Sequence, residues 1–206
     1  MSTGPAYRIE TPRLVIRCWS PTDAPKLGRA VEENIEHLRP WMPWIQREPL
    51  TLDQRVDVLR SMRGQFDLGT DVIYGIFDPA EEQVLGGTGL HPRCGEGGLE
   101  IGYWIHVAHV GRGLATEAAA ALTRVALEVH QVDRVEIHCG PNNPRSAAVP
   151  RKLGFTLEAT LRRRFTTGAG EPRDTMIWSL FADAAAQATA LAAEARAFDA
   201  LGRRLF

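Results

Sequence analysis

The chain has 206 residues, enough for one medium domain with an appendage. With 44% hydrophobic residues, 24% charged residues and a formal net charge of -1, it has an ordinary globular make-up and lacks the bulk positive charge that nucleic-acid binding uses. No apolar run is long enough to span a bilayer, MSTGPAYRIETPRL has no signal-peptide pattern, and three cysteines (Cys18, Cys94, Cys139) are too few for a disulfide framework, so a cytoplasmic protein with reduced thiols and no membrane partner is expected.

RLVIRCW (Arg13–Trp19) alternates as a strand does. Asp23 or Thr22 caps a helix expected to reach about Leu38, and HLRPWMPW (His37–Trp44) reads as a proline-broken aromatic loop. Thr51 and Gln54 have capping-box spacing, and Val56, Leu59, Met62 and Phe66 recur at helical spacing, predicting a helix over about Thr51–Leu68. DVIYGIFD (Asp71–Asp78), VLGGTGLH (Val84–His91) and LEIGYWIH (Leu99–His106) predict three strands in an antiparallel meander. A helix from about Arg112 to His130 and the strand RVEIHC (Arg134–Cys139) follow. NPRSAAVPRKLG (Asn143–Gly154) predicts a short helix, kinked at Pro150, which has no amide for the Ser146 carbonyl. FTLEATLRRRF and RDTMIWSLF form a last hairpin around TGAGEP, and the alanine-rich tail is expected to be a helix with the stripe Leu191, Phe198, Leu201 and Leu205. The helix between the third meander strand and RVEIHC makes that strand pair parallel in an otherwise antiparallel sheet, with an opening at its carboxyl ends.

The turn Gly111-Arg112-Gly113 before a long helix predicts an anion site. The first helical amides lack internal partners, the helix dipole adds positive charge, and glycines let a phosphate approach the backbone. Arg112 either adds a charged donor or faces solvent, and Ala115 and Thr116 bring small side chains to the first turn. A P-loop is excluded because no Lys-Ser/Thr pair follows the last glycine. A dinucleotide fingerprint fits poorly, since Thr116 stands at the third glycine and Glu136 lies within the next strand rather than at its end. His91-x-x-Cys94 and His106-x-x-His109 have the spacing of zinc ligands, but the strand between them separates the pairs by about 20 Å, so no metal is expected.

The same turn resembles the acyl-CoA-binding signature of the GNAT acetyltransferases, with Gly113 and Ala115 at its last two fixed positions and Val110 where Gln or Arg is usual. HLRPWMPW, LEIGYWIH, GRGLATEA, NNPRSAAVPRKLGF and DTMIWSL resemble, in order, segments of the RimJ/RimL group of ribosomal-protein N-terminal acetyltransferases. The resemblance covers about residues 7–181 and leaves 182–206 as a helical extension, which either covers the sheet or pairs with a second copy. It implies an α/β GNAT fold, mostly antiparallel with one splayed parallel pair and flanking helices. Acetyl-CoA is the implied cofactor, and a homodimer is expected because dimers are common in the group. Its pantetheine arm is expected against Ile105, His106 and Val107, its pyrophosphate on Gly111, Arg112, Gly113, Leu114, Ala115 and Thr116, and a further hydrogen bond at Asn142 or Asn143.

Acetyl transfer to an amine needs a base, an oxyanion donor and a proton or hydrogen bond for the thiolate. The resemblance places Ser146 near the cofactor sulfur, although Asn143, Pro144 and Ser146 also suit a plain helix start. Glu100 on the central strand is the first candidate base and His138 the second. A glutamate that one RimL relative carries in the following strand region has Phe165 at the corresponding position, and Glu158 matches a common Leu-Glu step of structural character. Cys139 matches a cysteine of RimL-like sequences and is read as a buried, inert thiol rather than an acyl carrier. Trp41 and Trp44 either wall the acceptor groove, with Glu100 at its floor, or plug the core. The acceptor is expected to be a protein or peptide N-terminus, bound in an open groove with acidic rims. A small amine such as an antibiotic or amino-sugar in a closed pocket is the alternative, and a non-catalytic acyl-CoA-binding module is a third reading.

Overall fold

A computed structural model describes residues 4–167, 171–185, 188–192 and 194–206. The chain runs through β1 (Arg8–Glu10), β2 (Val15–Cys18), α1 (Ala24–Glu32), α2 (Ile35–Leu38), α3 (Leu52–Leu68), β3 (Val72–Phe77), β4 (Val84–His91) and β5 (Gly98–Ile105). It continues through α4 (Leu114–Arg124), β6 (Arg134–Cys139), α5 (Pro144–Leu153), β7 (Thr156–Thr166), β8 (Pro172–Phe181), α6 (Ala182–Ala185) and β9 (Arg196–Phe198). The described strands form one sheet in the order β7-β8-β6-β5-β4-β3-β2-β1-β9. β5 and β6 are parallel, and the other neighbours are antiparallel. No described helix is long and apolar enough to cross a membrane.

Two apolar layers sandwich this sheet. Leu99, Ile101 and Ile105 of β5 and Val135 and Ile137 of β6 pack with Ala118–Leu122 of α4 on one face. Val15, Phe77 and Val84 pack with Leu27, Val31 and Leu59 of α1 and α3 on the other. Because side chains alternate along a strand, the polar residues Glu100, Glu136 and His138 point to the α1–α3 side, opposite α4.

Several expectations are corrected. The first helix stops at Glu32 rather than Leu38, because Asn34 is fully buried and turned inward. Its amide donates to the Ala30 carbonyl, and its oxygen accepts from the Val107 N–H at 2.6 Å. Ser20, not Asp23 or Thr22, makes the side-chain cap, in a reciprocal box with Asp23 around the 3₁₀ turn Pro21–Asp23. The long helix begins at Leu114 and passes into a π-helical turn at Val125–Val129. Among the described residues the tail is not one helix. After the four-residue α6 comes a 3₁₀ turn at Thr189–Ala192, and then β9 pairs with β1, Ala197 opposite Ile9. Ala190, Ala195 and Ala197 are buried and Leu201 is exposed, so tertiary burial overrides the helix propensity of alanine. The tail also seats Phe206 beneath Arg124. The expected hairpin turn falls partly on residues 168–170, outside the described residues.

Candidate active site

β5 and β6 stay in register only from Gly98–Glu100 opposite Arg134–Glu136 and diverge beyond, which opens a gap at their carboxyl ends. The His106 N–H donates back to Leu85 on the β4 side at 2.8 Å. Backbone alternation therefore turns the Tyr103 and Ile105 amides toward the gap. Of the three residues expected to pair with pantetheine, His106 and Val107 are corrected as amide donors, since Leu85 and Asn34 already take their N–H groups. Of the three, the Ile105 amide faces the gap. The His106 ring is structural as well: Nδ1 accepts from the Ala108 N–H and Nε2 meets Glu33.

The glycine turn has the form its sequence requires. Gly111 (φ 76°) and Gly113 (φ 80°) are left-handed, and Gly113 is the N-cap of α4. The first α4 bond runs from the Glu117 N–H to Gly113, which leaves the Leu114, Ala115 and Thr116 amides without helical partners. A Cβ at Gly111 would meet open space, so the backbone of the turn is accessible. Arg112 is exposed and turns its guanidinium to His109 at 3.0 Å. The residue that shapes the turn is one the sequence did not single out. Arg13 donates to the Arg112 carbonyl at 2.9 Å and grips Glu117 of α4. Glu117 also accepts from Thr11.

On the α4 side of the gap, Asn143 caps α5 by accepting the Ser146 N–H at 3.1 Å, while Asn142 is exposed. The helix runs unbroken through Pro150, leaving the Ser146 carbonyl without its i+4 donor. The Tyr103 hydroxyl fills the vacancy: it lies 3.1 Å from the Ser146 carbonyl and 3.1 Å from Ser146 Oγ. Burial pushes the Tyr103 phenol well above its usual range, so it stays protonated and able to donate. Burial also raises the Cys139 thiol, with Ser146 opposing that shift. This is the setting of an unreactive thiol.

On the other face, the structure brings both candidate bases into one chain of side chains. His138 Nε2 lies 2.6 Å from Glu136 and Nδ1 lies 3.2 Å from Glu100. Arg93 donates to both Glu100 oxygens, at 2.8 and 2.7 Å, and Arg134 holds Glu136 at 2.6 Å. Glu100 is only 6% exposed. Glu136 went unnoticed as a partner, yet its i, i+2 spacing from His138 on a strand puts both on one face. Trp44, 37% exposed, tilts against Trp104 of β5 with ring centroids 6.2 Å apart, and Trp41 is half-buried. Trp44 is thus no core plug. Phe165 and Glu158 lie on β7, and Glu158 is tied to Ser179. No group of three or more His, Cys, Asp or Glu among the described residues is arranged to hold a metal ion.

This geometry suits an elongated thioester carrier. The α4 amides offer an anion seat, the gap offers backbone amides to an amide-bearing arm, and Ser146 stands beside the gap. A family model described as "Acetyltransferase (GNAT) domain" matches residues 13–156. The "[Ribosomal protein uS5]-alanine N-acetyltransferase" of Escherichia coli (strain K12) is 29% identical over 162 residues, covering 76% of this chain and 82% of that protein. The crystal structure of ribosomal-protein-S5-alanine acetyltransferase from Vibrio fischeri gives a TM-score of 0.76 at 20% identity, covering 85% of this chain and 97% of that one. Mycobacterium smegmatis RimJ in complex with CoA-disulfide gives 0.74 at 24% identity, covering 91% and 90%.

Proposed function

Because the chain belongs to the GNAT acetyltransferase family and is an acyl-CoA-dependent N-acetyltransferase, we propose that it acetylates the N-terminal α-amine of a protein or peptide by direct attack in a ternary complex. The observation that carries this reading is the gap with different chemistry on its two faces. Tyr103 and Ser146 stand on one, and Glu100, His138 and Glu136 on the other. The 29% identity to the Escherichia coli ribosomal protein uS5-alanine N-acetyltransferase supports the acceptor class.

Acetyl-CoA supplies the activated acyl group. The residues that suit it are the Leu114, Ala115 and Thr116 amides for the pyrophosphate, with Gly111 and Gly113 giving access, and the Ile105 amide for the arm. An α-amine has a pKa of about 8 and must shed a proton before its lone pair can attack. The Glu100–His138–Glu136 chain receives that proton. Both Glu100 oxygens are engaged by Arg93 and both His138 nitrogens face carboxylates, so the three side chains form one connected relay. The Tyr103 amide, which also faces the gap, offers a donor for the oxyanion. As the C–N bond forms and the C–S bond breaks, Ser146 Oγ gives the departing sulfur a hydrogen bond and Tyr103 holds that hydroxyl in place. Trp44 and Trp104 wall the acceptor side.

The same reading places the reaction in the cytoplasm, in keeping with three free cysteines. It gives the enzyme a second copy across β7, where Leu157, Leu161 and Phe165 are exposed on an edge strand. A panel of alanine- and serine-initiated peptides and aminoglycosides, assayed for CoA release, tests the acceptor. Turnover confined to peptides with a free α-amine is expected, and turnover confined to aminoglycosides overturns it.

A further inference from the structure

Beyond the gap, β8 carries two polar groups that the reaction does not use. Arg173 and Thr175 are two residues apart and so share a face, the one that also carries His138 and Glu136. Thr175 is 6% exposed and its hydroxyl has no hydrogen-bond partner among the described residues. Arg173 Nε is buried and equally unpartnered. The guanidinium lies over Gly140, just past the end of β6, where an added Cβ would come within 3.2 Å of Arg173 Cδ. Among the described residues it also makes a long donation to the Pro40 carbonyl at 3.4 Å and lies over the Phe165 ring at 5.2 Å. No carboxylate among the described residues forms an ion pair with it. Arg13, Arg17, Arg55, Arg93 and Arg134 all have such partners.

Leaving a buried guanidinium nitrogen and a buried hydroxyl unsatisfied costs stability, and folded proteins rarely retain such atoms without a use. Both groups are donors, and they stand together on the acceptor side, beside the Pro40–Trp44 loop and at the mouth of the gap. We propose that Arg173 and Thr175 form a carboxylate subsite, which selects acceptors carrying a carboxylate close to the reacting amine. A planar guanidinium and an adjacent hydroxyl match the two oxygens of such a group. This deepens the peptide reading and rests on it for the position of the amine. The carboxylate comes either from an acidic side chain early in a peptide or from the α-carboxylate of a free amino acid.

The test compares kcat/KM for Ala-Glu and Ala-Asp peptides against their Ala-Gln and Ala-Asn counterparts, and for free amino acids against their amides. Each comparison is made with the wild type, Arg173→Gln and Thr175→Val. A charge-assisted contact predicts an acid-to-amide ratio of roughly ten- to a hundredfold in the wild type. The ratio collapses toward one in Arg173→Gln and falls severalfold in Thr175→Val. Because the readout is a ratio within each variant, a general loss of activity does not mimic it. Acid preference among peptides alone assigns a side-chain carboxylate. Preference among free amino acids alone keeps the subsite while overturning the peptide acceptor. If no compound turns over, calorimetric titration of the same pairs into the CoA complex reads the same ratio. Equal or absent binding of acid and amide, or a ratio unchanged in Arg173→Gln, overturns the proposal.

Discussion

The Tyr103 hydroxyl sits 3.1 Å from the carbonyl of Ser146 and 3.1 Å from its Oγ, which ties β5 to α5 across the gap. The bond exists because Pro150 withholds the amide that would otherwise occupy that carbonyl. A residue that costs helix stability thereby gives Ser146 a fixed orientation.

Ser146→Ala is expected to lower kcat by about a hundredfold, the scale of losing an aligned proton or hydrogen-bond donor, with little change in KM for acetyl-CoA. Tyr103→Phe keeps the serine and loosens it, for a loss of about five- to tenfold. Steady-state CoA release measures both. Near-wild-type turnover in Ser146→Ala removes the leaving-group role. Since the Tyr103 phenol is raised far above neutrality, Tyr103→Phe leaves the shape of the pH–rate profile unchanged.

Pro150→Ala restores an amide to α5 that competes with Tyr103 for the Ser146 carbonyl. The melting temperature is expected to rise, because an interior proline costs a helix about 3 kcal/mol, while kcat falls severalfold. A scan of melting temperature beside the kinetic assay shows whether the two move in opposite directions.

Glu100→Gln and Glu136→Gln each break one end of the chain through His138. Both are expected to lower kcat, by about a hundredfold at Glu100. Wild-type kcat in both variants removes the chain from the proton path.

At the turn, Gly113→Ala forces a left-handed residue to carry a Cβ and costs about 1–2 kcal/mol. Arg13→Met removes the bond to the Arg112 carbonyl, worth about 1 kcal/mol, or roughly fivefold in KM for acetyl-CoA. Arg112→Ala is expected to change KM less than Arg13→Met, since Arg112 points to His109 at the surface.

His130 gives a stability prediction independent of catalysis. Burial depresses its pKa, and Nε2 has no hydrogen-bond partner among the described residues. In the unfolded chain it protonates near pH 6.5 and in the folded chain only below that. Stability is therefore unaffected above about pH 6.5 and falls on acidification from there toward the folded value, by up to about 1.4 kcal/mol per pH unit. Urea unfolding between pH 5 and 7.5 checks this, with His130→Gln expected to flatten the slope.

The sequence exposed what is local. Thr51 and Gln54 form the capping box read from their spacing, and Asn143, Pro144 and Gly154 bound α5 as expected. β3–β6 fall where alternation put them, and the parallel pair followed from the helix between β5 and β6. The three-residue strands β1 and β9 were illegible because so short a run carries no period and their mutual pairing is decided by a partner far along the chain. Glu100 and His138 were candidates from residue type and strand position, and Ser146 from the resemblance of its segment to the RimJ/RimL group. Arg13, Asn34 and Tyr103 act through contacts across large sequence separations, which no spacing announces.

A crystal structure with acetyl-CoA tests the central claim most directly. The account predicts the pyrophosphate on the Leu114–Thr116 amides, the pantetheine against Tyr103 and Ile105 between β5 and β6, and the sulfur within hydrogen-bonding distance of Ser146 Oγ. A cofactor bound with its pyrophosphate away from that turn, or with its sulfur remote from Ser146, would contradict it.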